Sequence, residues 1–130
     1  DHRDLHSFPT RRSSDLRMDY IRFTPAPLIV DLKTCRDLDL FEVDARRFDY
    51  IHQLAFYRSV VKQACGIAPD VTIIAVEKRL PRRVGIWNLP TEDMDRAANE
   101  NMAAIRDFQQ CKASDTGPTG FEETRGLCVA

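Results

Sequence analysis

The feature that most restricts the fold is the apolar run Val71–Glu77, which reads VTIIAVE. Side chains alternate between the two faces of a strand, and in this run both alternating sets are largely apolar. Such a strand is mostly buried, which places it inside a sheet rather than at its edge. We therefore predict a sheet with this segment as an internal strand.

Three further segments have the composition of short strands. The runs 17–23 and 28–34 are rich in β-forming residues and are separated by Thr24-Pro25-Ala26-Pro27, whose two prolines interrupt regular structure. These two runs predict a hairpin. Residues 84–89 follow a basic connection after the internal strand, and they predict a further strand.

Helical periodicity predicts three helices between these strands and after them. Residues 37–47 carry acidic residues first and basic residues last, which suits the helix dipole. Residues 50–64 show apolar positions at helical spacing, and Gly66 offers a C-terminal stop. A long amphipathic helix is expected from Thr91 to about Cys111. The order of strands and helices predicts an α/β fold.

The first sixteen residues show neither a helical nor a strand period. Within them, the stretch HSFPTRRSSDL at positions 6–16 resembles a conceptual translation of a common DNA-sequencing adapter. We therefore expect residues 1–16 to be an artefactual segment, to be left out of reasoning about the fold. Residues 17–113 are then expected to form the domain, and residues 114–130 a C-terminal tail with little pattern.

The overall composition excludes some classes of protein but does not identify a ligand. The net charge of −1 neither supports nor excludes binding to DNA. No apolar run approaches the roughly 18 to 20 residues that span a bilayer, and the secretory-signal layout is missing, so we expect a cytoplasmic protein. The four cysteines form no C-x-x-C pair and only three histidines are present, which argues against zinc and iron–sulfur sites and favours reduced thiols.

The predicted hairpin brings two aspartates and one lysine together. If its turn is centred near Pro25, facing positions have numbers that sum to fifty, which sets Asp19 opposite Asp31. Opposed carboxylates, with Cβ atoms about 4.5 to 5.5 Å apart, destabilise a sheet and need a compensating cation. Lys33 shares the face of Asp31, because side chains alternate along a strand.

Carboxylate oxygens without histidine or thiolate favour a hard cation such as Mg²⁺, with Mn²⁺ as a substitute. Such an ion polarises a phosphoryl oxygen and activates water, while a nearby lysine holds the attacking water or offsets developing charge. These parts predict phosphodiester hydrolysis. The alternative for a D-x-K motif on its own is a solvent-facing ion pair on an edge strand.

Three motifs occur in the order found in the PD-(D/E)xK nuclease superfamily. Asp19 followed by Asp31-Leu32-Lys33 resembles its D…(D/E)xK signature, and Gln53-Leu54-Ala55-Phe56-Tyr57 is similar to the QxxxY motif of the RecB-like branch. Residues 17–89 resemble phage-type RecE nucleases (exodeoxyribonuclease VIII), including Ala75-Val76-Glu77-Lys78 followed by Pro81. The resemblance implies a restriction-endonuclease-like mixed sheet flanked by helices, here lacking its first helix and strand.

The resemblance also implies a role for each matched residue. Asp19 and Asp31 would bind the metal together with the backbone carbonyl of Leu32, and Lys33 would serve the attacking water. Gln53 and Tyr57, one helical turn apart, would support the site or contact the DNA backbone. Their alternative roles are those of a surface residue and a core aromatic residue.

The implied activity is digestion of double-stranded DNA ends, which leaves a strand for a single-strand annealing protein. The family's first helix and strand have no counterpart upstream of Asp19, which would reduce or abolish the activity of the chain as given. Two alternatives stay open. One is a non-catalytic DNA-binding or assembly domain of the same fold, and the other is the nuclease module of a helicase-nuclease or a CRISPR-associated protein. A homo-oligomer is one option for the assembly.

Basic residues near the predicted site are candidates for contacts with DNA phosphates. They are Arg36, Lys78, Arg79, Arg82 and Arg83. The last four lie on the predicted connection between two strands, where their alternative role is to keep a sheet edge soluble.

Overall fold

The computed structural model describes residues 17–117 and 126–127. In chain order its elements are β1 (Tyr20–Arg22), β2 (Leu28–Cys35), a 3₁₀ turn (Leu38–Leu40), α1 (Phe41–Arg47), α2 (Tyr50–Cys65), β3 (Asp70–Glu77), β4 (Val84–Asn88) and α3 (Thr91–Ser114). The expected artefactual segment 1–16, and residues 118–125 and 128–130 of the expected tail, lie outside the described residues.

The four strands form one mixed sheet in the order β1-β2-β3-β4. The central pair β2 and β3 is parallel, and both outer pairs are antiparallel. A parallel pair needs a crossover connection, which α1 and α2 supply here. Because β3 has a strand on each side, the prediction of an internal strand at 71–77 is confirmed, and so is the mixed α/β fold.

The predicted hairpin register is also confirmed. In every pair of the β1–β2 ladder the two residue numbers sum to fifty: Tyr20 faces Val30, Ile21 faces Ile29 and Arg22 faces Leu28. Strand β1 is shorter than the predicted run 17–23, and its ladder begins at Tyr20. The predicted pairing of Asp19 with Asp31 therefore lies outside the ladder, and the Asp19 side chain accepts a hydrogen bond from the backbone N–H of Leu32.

Local signals in the sequence explain where the helices begin and end. The Asp37 carboxylate accepts a hydrogen bond from the Asp39 N–H at 2.9 Å and caps the 3₁₀ turn. Gly66, with φ of +78°, ends α2 in the left-handed conformation that glycine adopts at little cost. Helix α3 continues to Ser114, past the predicted end at Cys111.

The hydrophobic core lies between one face of the sheet and the three helices. Ile29 and Ile73 from the sheet pack with Phe41 of α1, Leu54 of α2 and Met94 of α3, and all five are buried. The other face of the sheet carries apolar side chains in contact with water, namely Leu32, Val84 and Ile86. Asp31 is buried on the face of the sheet that packs against the helices. The helices therefore enclose one side of the site that Asp31 forms.

Helices α2 and α3 run antiparallel along each other. In the middle of α2, Arg58 Nη1 donates to Asp95 Oδ1, near the start of α3, at 2.8 Å. Near the start of α2, the carbonyl of His52 accepts from Asn101 Nδ2, further along α3, at 2.8 Å. The last part of α3 therefore extends beyond the first residues of α2.

Within the described part of the chain, no helix combines the length and the hydropathy that crossing a membrane requires. Cys35, Cys65 and Cys111 are free thiols, as expected, and Cys128 lies outside the described residues.

Candidate active site

Asp31 places a carboxylate in the hydrophobic core, with 5% of the residue exposed. Lys33, two positions along the same strand and on the same face, brings Nζ to 2.8 Å from Asp31 Oδ2. The ammonium group is a charge partner whose approach lacks hydrogen-bond geometry, and Oδ2 receives no hydrogen bond from any described residue. A buried carboxylate oxygen with an unfilled acceptor site is unusual and marks a place for a further ligand.

Side chains of helix α2 also contact the ammonium group of Lys33. Lys33 Nζ donates to Gln53 Oε1 at 3.1 Å, and Gln53 Nε2 donates to the Tyr57 hydroxyl at 3.3 Å. The ammonium also lies over the ring of Tyr50, 4.5 Å from its centroid. Positions 50, 53 and 57 share one helical face, so two side chains of α2 contact Lys33 and a third, Tyr57, contacts Gln53.

Asp19 lies just before β1 and contacts the same part of β2. Its Oδ2 accepts a hydrogen bond from the Leu32 backbone N–H at 2.8 Å. Leu32 is the residue between Asp31 and Lys33, and its own side chain faces water. The Asp19 carboxylate is thus held against the main chain of β2, at the residue that follows Asp31.

This donor set consists of oxygen atoms that suit a hard divalent cation. Mg²⁺ commonly takes one or two protein carboxylates and keeps several waters. Within residues 17–117 and 126–127, no three histidine, cysteine, aspartate or glutamate side chains are grouped closely enough to hold a metal ion. Asp31 Oδ2 receives no hydrogen bond among the described residues, and the carboxylates of Asp19 and Asp31 are of the ligand type that such an ion would take.

A second polar cluster lies at the C-terminal ends of β2 and β3. Arg83 Nη2 donates to Glu77 Oε1 at 2.7 Å and lies 3.3 Å from Asp37 Oδ1. Arg83 Nη1 contacts Asp39 at 3.3 Å, and Arg79 Nη2 contacts Asp37 at 3.2 Å. Two of the arginines predicted to bind DNA are therefore engaged with carboxylates of the protein.

The other three basic residues of that prediction are exposed. Arg36, Lys78 and Arg82 form no ion pair with an acidic side chain among the described residues, although Arg82 Nη1 donates to the Lys78 carbonyl at 3.3 Å. Arg36 directly follows β2, and the backbone N–H of Lys78 donates to the carbonyl of Cys35 at 2.9 Å. These residues keep positive charge directed to solvent beside the ends of the central strands.

The side chain of Glu77 is buried, and sequence reasoning assigned it no role in the fold. Hydrogen bonds from the Arg83 side chain, and then from the Leu38 backbone N–H, lower the pKa of Glu77 to about 2. Glu77 therefore ties the start of the 3₁₀ turn to the β3–β4 connection as a carboxylate. The neighbouring Cys35 thiol has a raised pKa, first because it is buried and then because Glu77 is close.

Tyr50 is the residue at the site that sequence reasoning did not select. A signal was available, because position 50 lies on the same helical face as Gln53 and Tyr57. The Glu77–Arg83 contact had no comparable signal, since the partners are six positions apart across an irregular connection.

The mixed sheet, the D-x-K strand with an aspartate beside it and the adjoining Gln–Tyr helix define a fold of the PD-(D/E)xK nuclease class. A family model described as "PDDEXK-like domain of unknown function (DUF3799)" matches residues 16–127, and the chain belongs to this family.

Comparison with known proteins supports this fold. A crystal structure of a protein from Eubacterium rectale named "Putative exonuclease" is similar to the chain, with a TM-score of 0.55 and 13% sequence identity. The likeness covers 80% of this chain and 44% of that one, so this chain spans less than half the length of the protein it matches. No curated protein matches the chain.

Proposed function

We propose that this protein is a Mg²⁺-dependent DNA exonuclease of the RecE type, which digests double-stranded DNA ends and leaves a strand for a recombination annealing protein. The observation that carries the proposal is the linked set Asp31, Lys33, Gln53 and Tyr57, in which a buried carboxylate keeps one oxygen unfilled beside an ammonium group held by α2.

The metal-binding residues in this proposal are Asp19, Asp31 and the backbone carbonyl of Leu32, with Mn²⁺ as a substitute for Mg²⁺. When bound, the ion supplies Lewis-acid stabilisation of charge on the phosphoryl and leaving oxygens and lowers the pKa of a bound water. Burial of Asp31 strengthens its electrostatic effect, because the surrounding core excludes water.

Lys33 has three N–H donors, and two contacts already direct its ammonium group, to Asp31 and to Gln53. The remaining donor capacity can hold the attacking water or a phosphate oxygen. The charge of the Lys33 side chain would also offset the negative charge that develops when water attacks phosphorus.

Gln53 and Tyr57 act in this scheme as positioning residues. Gln53 uses its amide oxygen to accept from Lys33 and its amide nitrogen to donate to Tyr57. The Tyr57 hydroxyl accepts that bond and retains its own proton, which it can donate to a phosphate oxygen of the DNA backbone.

A basic groove next to the site offers a path for the DNA backbone. It has a volume of about 410 Å³, and its lining includes Arg36, Lys78, Phe48 and Tyr50. Tyr50 also touches Lys33, so the groove adjoins the proposed cleavage position. Phosphates that follow the exposed Arg36 and Lys78 would approach Lys33 from the ends of the central strands.

The test measures degradation of linear and of closed circular double-stranded DNA with Mg²⁺ and with EDTA. It uses the full chain. We expect Mg²⁺-dependent loss of linear DNA only. Asp31→Asn and Lys33→Met should each lower the rate at least about 100-fold. The matched controls Asp107→Asn and Lys62→Met change exposed residues of the same types away from the site.

Unchanged degradation in Asp31→Asn would overturn the assignment of the site. Tight binding of DNA ends without degradation would overturn the enzymatic proposal and favour a DNA-binding or assembly domain of the same fold.

A further inference from the structure

A second groove shares Phe48 and Tyr50 with the basic one. It has a volume of about 600 Å³, within the range of ligand clefts, and lies where α2 and α3 meet. Its lining includes Phe48, Tyr50, Gln53, Phe56, Asn101 and Ile105. We call it the aromatic groove. Gln53 and Tyr50 both contact Lys33, so this groove begins directly beside the proposed cleavage position.

The groove exposes aromatic surface that the core does not use. Phe48 is 56% exposed and Phe56 is 38% exposed, and Ile105 of α3 stands beside them at 36%. The ring of Phe48 is tilted by 32° against that of Tyr50, with centroids 5.9 Å apart. Several apolar faces in an open concave surface favour an occupant that is itself flat and largely apolar on its faces.

Charged residues surround both grooves. Asp49 and His52 also line the aromatic groove, and Glu100 contacts His52 from α3. The Arg47 guanidinium lies over the ring of Phe48, 5.7 Å from its centroid. Arg36, Lys78 and Asp44 line the basic groove, which shares Phe48 and Tyr50 with the aromatic one. The aromatic groove therefore lies beside cations that would bind the phosphates next to a base.

We propose that the aromatic groove binds nucleobases exposed at a DNA end, next to the phosphodiester bond that is cut. This inference rests on the proposed nuclease function, since it assigns the position of the substrate around that site. Bases inside a duplex present their faces only to one another, whereas a terminal or unpaired base offers a free face to Phe48 or Phe56. Stacking on aromatic side chains tolerates any base, as digestion of DNA of any sequence requires.

The test is equilibrium binding by the full chain in EDTA, where cleavage is not measured. The probes are duplex DNAs with 2-aminopurine at the terminal position or at an internal one. We expect fluorescence quenching for the terminal probe and much less for the internal probe. Phe48→Leu with Phe56→Leu keeps apolar volume and removes the aromatic faces, and it should abolish the quenching and weaken binding of ends by roughly 5-fold or more. The control Phe108→Leu changes an exposed phenylalanine of α3 that lies outside the groove lining and should leave both unchanged.

The outcomes separate this inference from the proposed function. Terminal quenching that depends on the two phenylalanines supports the groove, even if no DNA is degraded. Mg²⁺-dependent degradation with no such quenching would overturn the groove alone. A change in oligomeric state on replacing Phe48 and Phe56, measured by sedimentation and without any effect on quenching, would show a contact between copies of the chain and would also overturn it.

Discussion

The side-chain oxygen of Gln53 lies 3.1 Å from the ammonium nitrogen of Lys33, and this contact joins helix α2 to strand β2 across twenty residues of sequence. The amide carries no net charge, so it orients the lysine without competing with Asp31 for its charge. Through its nitrogen, the same amide reaches Tyr57. The orientation of the lysine therefore depends on a residue that need not touch the reacting atoms.

Gln53→Leu should lower the rate of DNA degradation by about 10-fold or more with little change in KM, because Lys33 loses the acceptor that orients it. Unfolding stability should change little, since Gln53 is exposed. Gln63→Leu is the matched control, because it makes the same replacement at an exposed position later in α2. A rise in KM with kcat unchanged would show instead that Gln53 only binds substrate.

Asp31 and Lys33 should be strongly coupled in stability. Lys33→Met leaves a buried carboxylate without its cation, and breaking such a pair typically costs about 3 to 5 kcal/mol. Asp31→Asn in the Lys33→Met background removes that charge and should restore part of the loss. Urea denaturation in EDTA measures the four free energies of unfolding. Additive single and double variants would mean that the two groups do not interact in the folded protein.

Glu77 should make stability depend on acid pH. Its pKa is about 2 in the folded protein, below the ordinary value of 4.5, so its contribution is complete above about pH 4.5 and is lost as the pH falls towards 2. Glu77→Gln should be less stable than the parent at pH 7, and the gap should narrow below pH 4.5. Urea denaturation at pH 7, 4 and 3 gives the comparison, with the exposed Glu92→Gln as control. If the difference in unfolding free energy between the parent and Glu77→Gln stays constant with pH, the ionisation of Glu77 is not its cause.

The local parts of this fold could be predicted from the sequence because their signals are local. Two prolines fixed the centre of the hairpin and its register, and the alternation of side chains along β2 set Asp31 and Lys33 on one face. Gly66 marked the end of α2. These features depend on turn chemistry and on the periods of strand and helix, which a short window contains.

Contacts between distant segments were not accessible in the same way. The basic connection after β3 looked uniform in the sequence, yet Arg83 is tied to Glu77 and Asp37 while Lys78 faces solvent. Which arginine meets which carboxylate depends on how α1 and the 3₁₀ turn dock onto the sheet. The sequence around residues 78–83 does not show which carboxylate each arginine contacts.

This division within the basic cluster leads to a prediction about DNA binding. Arg36→Gln and Lys78→Gln each remove an exposed positive charge from the basic groove. Each should weaken binding to DNA of any sequence and reduce the slope of log K against log salt by about 0.9. Arg83→Gln should instead lower unfolding stability and leave the slope nearly unchanged, because its charge is already balanced by Glu77, Asp37 and Asp39. Fluorescence anisotropy at several salt concentrations measures DNA binding, and urea denaturation measures the stability of each variant. Together they distinguish the two effects. A loss of slope in Arg83→Gln equal to that in Arg36→Gln would show that the ion cluster opens to bind phosphate.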